Sequence, residues 1–430
     1  MRKKIVLGFC VGLLLAVAGA FWGTRQWTAQ RLQDTESAFK ERDYGKARLL
    51  ARQALTLSFS ADQRDRANLL LARATLADTS LSEAALAEAF ARLEQIPPTS
   101  VAYKDALVAR AKQVYLSQLK VRTAERLLDQ VLEREPEHVE ANQLLFSIYT
   151  ATNRPDRADP VFWQAFRQVG AAEKPAMFRL WFLSQFTRNA ANRALDIGSG
   201  IVPPDRPPSD DDVIDRFIVF KNREPDEALH YGAMASWWLW KTETKTALEI
   251  LQVGQRDAKD IGEEVYLSSL VQTLLNQGDF QQASDLLGQW PESERGFNYF
   301  RLLGVCQQSL NQFGEAVENY KRAQGYWPGP IDANVWYRLN QCLRELGRIE
   351  EAEAAERQTE VVRSWLEERW AAVRAAVDYL YDAKAVDVLI DFFAAIGKVE
   401  AVEYLRQHRS ELPPVGDSVE PPSTSPEAGG

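Results

Sequence analysis

One order of residue types returns along this chain at intervals of 33 to 39 residues, and that recurrence limits the fold more than any single motif does. From Glu264 it runs Leu267, Leu270 and Leu274, then Gly278-Asp279-Phe280, Ala283 and Leu287. The next copy has Phe300, Leu303-Gly304, Phe313, Ala316, Tyr320, Ala323 and Pro328, and the one after it Trp336, Leu339, Leu343, Leu346-Gly347, Ile349 and Ala352. Earlier copies keep the order as Tyr231, Ala235, Trp238, Ala247 and Leu251, as Leu145, Tyr149, Ala158, Phe162 and Ala165, and as Tyr115, Ala124, Leu128, Val131 and Pro136. Two looser copies precede them: Leu70, Ala74, Leu86, Phe90, Leu93 and Pro98, and before these Tyr44, Ala47, Ala51 and Ala54. Within a copy the apolar positions follow the i, i+3, i+4, i+7 spacing of one helix face, and small Ala or Gly falls where two helices would cross closely. A pair of short helices cannot bury its apolar face alone. Each pair must stack on the next, so an all-α array is expected, not a single globule.

These strings resemble the tetratricopeptide repeat, in which W-x2-L-G-x2-Y is followed by A-x3-F and then P over 34 residues. The resemblance extends over most of residues 28–360. It implies an α-α solenoid, a superhelix whose first helices line the concave side, and a groove for a protein or peptide partner. On that reading the groove-facing residues are Trp240, Gln272, Asn276, Arg301, Gln308, Asn334, Tyr337, Gln341 and Arg344, a polar set whose basic component also includes Arg338. Some members of the family grip a C-terminal carboxylate with a basic residue and an Asn one turn later. Here Val305 follows Arg301, so that clamp is not expected.

The array is interrupted. A helix over Pro175 to Thr187 is followed by a short one and then by Gly198 to Pro208, where four prolines in six residues cannot continue a helix. Ser209-Asp210-Asp211-Asp212 supplies capping side chains for a helix beginning near Val213. The expected organisation is a basic stub and membrane segment over 1–27, an N-terminal array over 28–188, a linker over 189–212 and a C-terminal array over 213–411. Within the last, Val361 to Asp382 reads as a helix and Leu389 to Gln407 as a degenerate closing pair. Residues 412–430, with eight Pro plus Gly from Pro413 onward and no aromatic, read as a disordered tail.

Ile5 to Gly23 carries no charge over nineteen residues, which spans about 28 Å as a helix, close to the thickness of a bilayer core. Its lipid-facing residues include Ile5, Leu7, Leu13, Leu14, Leu15, Phe21 and Trp22. Arg2, Lys3 and Lys4 just before it place the N-terminus in the cytoplasm and the repeats on the exported side, the periplasm of a bacterial inner-membrane protein. The alternative is a signal peptide cleaved after Ala18 or Ala20, which leaves a soluble periplasmic binding or chaperone-like module; the length of the apolar run favours the uncleaved anchor.

Beyond that segment 48 basic side chains face 60 acidic ones, and no basic stripe is found, so a nucleic-acid partner is not expected. His138, His230 and His408 lie far apart in sequence, and neither metal-ligand spacing nor a phosphate-binding loop is found. No metal, cofactor, small-molecule substrate or reaction is therefore expected. Leu195-Asp196-Ile197-Gly198-Ser199-Gly200 resembles the first motif of methyltransferases, but it lacks the strand before and the helix after that such a site needs. A methyltransferase-like enzyme is the minor alternative. Cys306 and Cys342 occupy one position in neighbouring repeats, too far apart to bridge, and should be two thiols.

Overall fold

The computed structural model describes residues 22–412, apart from 59, 79, 187–191, 193–194, 197–200, 202–208 and 210. Ile5, Leu7, Leu13, Leu14, Leu15 and Phe21 lie outside the described residues, as do the two cleavage positions and the tail from residue 413. Trp22 is the first described residue and is mostly exposed. No helix among the described residues is long and apolar enough to cross a membrane.

All regular structure among the described residues is helical. The chain forms two compact units, Met1–Leu144 and Leu145–Gly430. The first holds α1 (residues 22–40), α2 (Tyr44–Thr56), α3 (Ala61–Leu76), α4 (Glu83–Glu94), α5 (Tyr103–Gln118) and α6 (Val121–Leu132), and α7 (Val139–Ala151) runs across the boundary. Side-chain caps start several of these helices: Asp43 accepts the Lys46 N–H at 2.9 Å and Ser60 that of Gln63 at 3.2 Å. Ala47 and Ala54 are fully buried, so α2 lies close against its neighbours, with Leu32, Ala38, Ala67 and Leu70 filling the space.

The second unit continues with α8 (Pro155–Phe166), α9 (Lys174–Phe186), α10 (Asp211–Arg223), α11 (Ala228–Trp240), α12 (Thr244–Asp257), α13 (Glu264–Gln277) and α14 (Phe280–Gly288). Then come α15 (Phe297–Ser309), α16 (Phe313–Gln324), α17 (Ala333–Glu345), α18 (Ile349–Arg363), α19 (Trp370–Ala376), α20 (Ala383–Ala395) and α21 (Val399–Glu411). One continuous core runs from Leu267 on α13 to Ala355 on α18, as stacked helix pairs require. Ala283, Ala316 and Ala352 on the second helices are all 0 % exposed, which fixes the repeat register. Gly304 is small for a concrete reason: a Cβ there would stand 2.7 Å from the Tyr320 ring. Ala316→Trp should therefore overpack this crossing and lower stability by about 1 to 3 kcal/mol or more, measured by urea unfolding. A neutral outcome would contradict the register.

Cys306 and Cys342 are buried free thiols, and burial raises both pKa values, that of Cys342 to about 11.

Three features depart from the sequence reading. The boundary between units falls at residues 144/145, whereas a division was expected over 189–212. Asp196, inside that expected linker, is fully buried and accepts from Arg216 of α10 through both oxygens, at 2.7 Å each; Arg216 also donates to the Ala151 carbonyl at 3.2 Å. This buried pair fastens α10 to the end of α7, so residues 145–186 belong with the C-terminal helices. The expected helix Val361 to Asp382 breaks in a π turn at Ser364–Glu368 before α19 begins.

The closing pair, expected over Leu389 to Gln407, is α20 and α21, and it does more than shield the preceding pair. Phe393 packs on Phe178 (5.8 Å between centroids) and Trp181 (5.6 Å), Tyr404 on Phe166 (4.8 Å), and Trp370 stacks on Phe182 (5.7 Å). At the centre of this contact Lys398 donates to Asp159 at 2.6 Å, and the other Asp159 oxygen accepts the Trp163 and Trp181 indoles at 3.0 and 3.1 Å. The second unit thus joins its last helices to its first across 239 residues of chain.

Candidate functional site

Helices α13, α15 and α17 are the first members of three successive pairs. Each turns its apolar stripe, including Val271, Phe300 and Leu339, into the common core, which leaves polar positions on the other side. There the sequence candidates meet in two hydrogen-bonded sets. Gln272 donates to Asn276 at 2.9 Å and accepts from Arg301 at 3.2 Å. Gln308 donates to Gln341 at 3.1 Å, and Gln341 donates to the Tyr337 hydroxyl at 2.8 Å. The Gln308 carbonyl oxygen accepts from Arg338 at 3.2 Å and from the buried Tyr320 hydroxyl at 2.8 Å.

The other candidates differ. Asn334 is exposed at the start of α17, where its backbone N–H is capped by Asp332. Arg344 donates to Asn340 at 2.7 Å and to Glu356 at 2.6 Å, so its charge is already balanced. Trp240, 43 % exposed, borders a separate cavity among α8 to α11 and joins neither set.

The electrostatics single out two residues. Arg301 and Arg338 are half-buried, and neither forms an ion pair among the described residues. Burial, with a contribution from the charge of Arg338, holds the Arg301 pKa below that of a free guanidinium; Asp332 opposes this. Asp332 is itself committed to the α17 N-terminus, where one oxygen accepts the Asn334 and Val335 N–H groups at 2.9 and 3.2 Å. Arg301 and Arg338, one repeat apart, thus form a basic patch bordered by neutral amides and hydroxyls.

The first unit holds a groove of about 890 Å³ that the sequence reading missed. Leu32, Phe39, Leu69, Leu70 and Val101 give it apolar walls. Two of its cations are paired: Arg66 with Glu36 at 2.6 Å, and Arg73 with Glu140 at 3.3 Å while lying over the Phe39 ring. The looser repeats signalled its walls, but a cavity depends on where bulk is lacking between helices, which periodicity does not encode.

The histidines lie in three separate settings, His138 against Asp105, His230 against Glu224 and His408 against the Leu380 carbonyl. Asp196 spends both oxygens on Arg216 and is not free to hold a nucleoside.

A tetratricopeptide repeat family model matches residues 307–365, from the C-terminal end of α15 through α18. Among solved structures, the chain is similar to the crystal structure of the APC/C hetero-tetramer Cut9-Hcn1, at 12% identity and a TM-score of 0.35 over 90% of this chain and 74% of that one. It is also similar to a tetratricopeptide repeat protein from Parabacteroides merdae, at 13% identity and a TM-score of 0.28 over 74% of this chain and 99% of that one. No curated protein matches.

Proposed function

We propose that this chain is a non-enzymatic protein-binding scaffold whose C-terminal repeats capture a partner through a carboxylate seated between Arg301 and Arg338. The observation that carries the reading is the pair of half-buried guanidinium groups without an ion-pair partner on neighbouring first helices. A buried cation is costly until a counter-charge meets it, so an acidic side chain or chain terminus gains most by docking there. The repeat match over residues 307–365 supports a protein ligand, because tetratricopeptide repeats are protein-binding scaffolds. Gln272, Asn276, Gln308, Tyr337, Gln341 and Asn334 then flank the carboxylate and bond to the partner's backbone, while Arg344, held by Glu356, and Trp240 lie apart from them. Titrating the full chain with a fluorescein-labelled hexapeptide of alternating Glu and Ala tests this. Saturable binding that weakens with added salt is expected, and equal binding of a Lys/Ala hexapeptide would remove the reading.

The scaffold is further read as a single-pass protein of the bacterial inner membrane, its repeats in the periplasm, acting in envelope assembly, secretion or polysaccharide export. Support comes from Arg2-Lys3-Lys4, the uncharged run from Ile5 to Gly23, and the interface-suited Trp22 and Trp27. Alkaline extraction of membranes, followed by intact mass of the chain, is expected to leave it in the pellet with its N-terminal residues retained. A soluble chain beginning at Gly19 or Phe21 would establish the released periplasmic module instead.

A further inference from the structure

We infer that a proton shared by the Asp156 and Glu264 carboxyls is a pH-sensitive latch: with it the N-terminal ends of α8, α13 and α15 stay together, and without it they part. Glu264 is the first residue of α13 and is 3 % exposed. Its Oε2 accepts from Arg157 Nε of α8 at 3.1 Å, and the Asn298 amide of α15 approaches its other oxygen at 3.5 Å. The Asp156 carboxyl lies within hydrogen-bond reach of it. A Cβ on Gly296, the residue that caps α15, would stand 3.6 Å from an Asp156 oxygen, so Asp156 sits in the corner between the two helix ends.

Negative charge is in excess here. Arg157 is the cation that reaches Glu264, and it pairs with Glu294 as well, while Arg295 on the same turn is given to the Trp290 carbonyl and to Glu292. Glu263 adds another carboxylate at the α13 cap, where it accepts the Tyr266 N–H at 3.0 Å, and the Tyr149 phenol of α7 faces Arg157. From α11 the approach is made by backbone: a Cβ on Gly232 would stand 2.5 Å from that of Tyr266. A carboxylate is at home singly at the positive end of a helix, but two in contact cannot both ionise without cost. Burial, with the charge of Asp156, therefore pushes the Glu264 carboxyl up to about 8 against the pull of Arg157. Holding the proton, one carboxyl donates to the other. Without it, Asp156, Glu264 and Glu294 set three negative charges around one guanidinium.

The test is urea unfolding of the full chain at a series of pH values, followed by near-ultraviolet circular dichroism, since most of the tryptophans lie in the second unit and report it. Folded, the pair keeps a proton that a free glutamic acid gives up near pH 4.5, so the stabilisation is complete below that value and is lost as pH rises to about 8. Glu264→Gln accepts from Arg157 and donates to Asp156 with no proton to lose. Relative to it, the parent's unfolding constant should rise about tenfold per pH unit between about pH 5.5 and 7.5 and level off above about 8. Asp156→Asn should bring that levelling at least about one pH unit lower, and Glu292→Gln, at an exposed carboxylate on the same turn as Glu294, should leave it in place. Above about pH 8, amide hydrogen exchange in α8 and α13, corrected for its intrinsic acceleration, should quicken in the parent and not in Glu264→Gln. The inference is overturned by equal pH profiles of the parent and Glu264→Gln, or by a levelling that Asp156→Asn does not move. It is equally overturned if the proton is lost while exchange stays the same, since the carboxyls would then titrate without moving a helix.

Discussion

Changing Arg301 and Arg338 together to Glu is expected to abolish saturable binding of the acidic hexapeptide, a loss of at least about 100-fold. Truncating one member of a desolvated charge pair costs about 2 to 5 kcal/mol, and each 1.4 kcal/mol is tenfold in affinity. Replacement of both by Met keeps the aliphatic bulk and removes only the charge, so it separates lost recognition from lost folding; far-ultraviolet circular dichroism should match the parent. Arg344→Glu is the informative contrast. Arg344 is paired with Glu356 at the surface, and exposed pairs are worth about 0 to 1 kcal/mol, so its reversal should change affinity by no more than about fivefold. If Arg344→Glu alone did as much harm as the double reversal, the carboxylate would have to sit elsewhere.

Lys398→Met should destabilise the second unit by about 3 to 5 kcal/mol, because it strands the Asp159 carboxylate among Trp163, Trp181 and Phe residues. Burial already raises the pKa of Asp159, and the Lys398 ammonium opposes that rise. Near-ultraviolet circular dichroism in urea reads the effect through the buried indoles. Adding Asp159→Asn should recover much of the loss, since an amide still accepts from both tryptophans and no charge is left in the core. Arg179→Met, which breaks an exposed pair with Asp378, is expected to cost less than about 1 kcal/mol. Equal effects of Lys398→Met and Arg179→Met would mean that the buried pair contributes nothing special.

The helix pairs were legible because their cause is local. Small Ala283, Ala316 and Ala352 follow apolar stripes at fixed distance, and a close helix crossing is the one use for them. The Leu346-Gly347 punctuation was equally readable, since Gly347 ends its turn with φ +69°, where side-chain-bearing residues are strained. What stayed hidden was long-range. The aromatic stripe of Phe178, Trp181 and Phe182 announces an apolar face but does not say that α20 will cover it. The polar face of the first helices was found from the register alone, yet its charge balance was not. Glu356 lies one helix over from Arg344 and cancels it, while Arg338 keeps its charge, and only the folded positions distinguish the two.

The bond between Lys398 and Asp159 also bears on how such a molecule can evolve. An open stack tolerates duplication or deletion of a unit, because each copy answers only to its neighbours. Here one extra pair between α10 and α19 would carry Lys398 roughly a helix-packing distance, about 10 Å, away from its acid. The count of pairs is thereby locked, and divergence is confined to the faces they present.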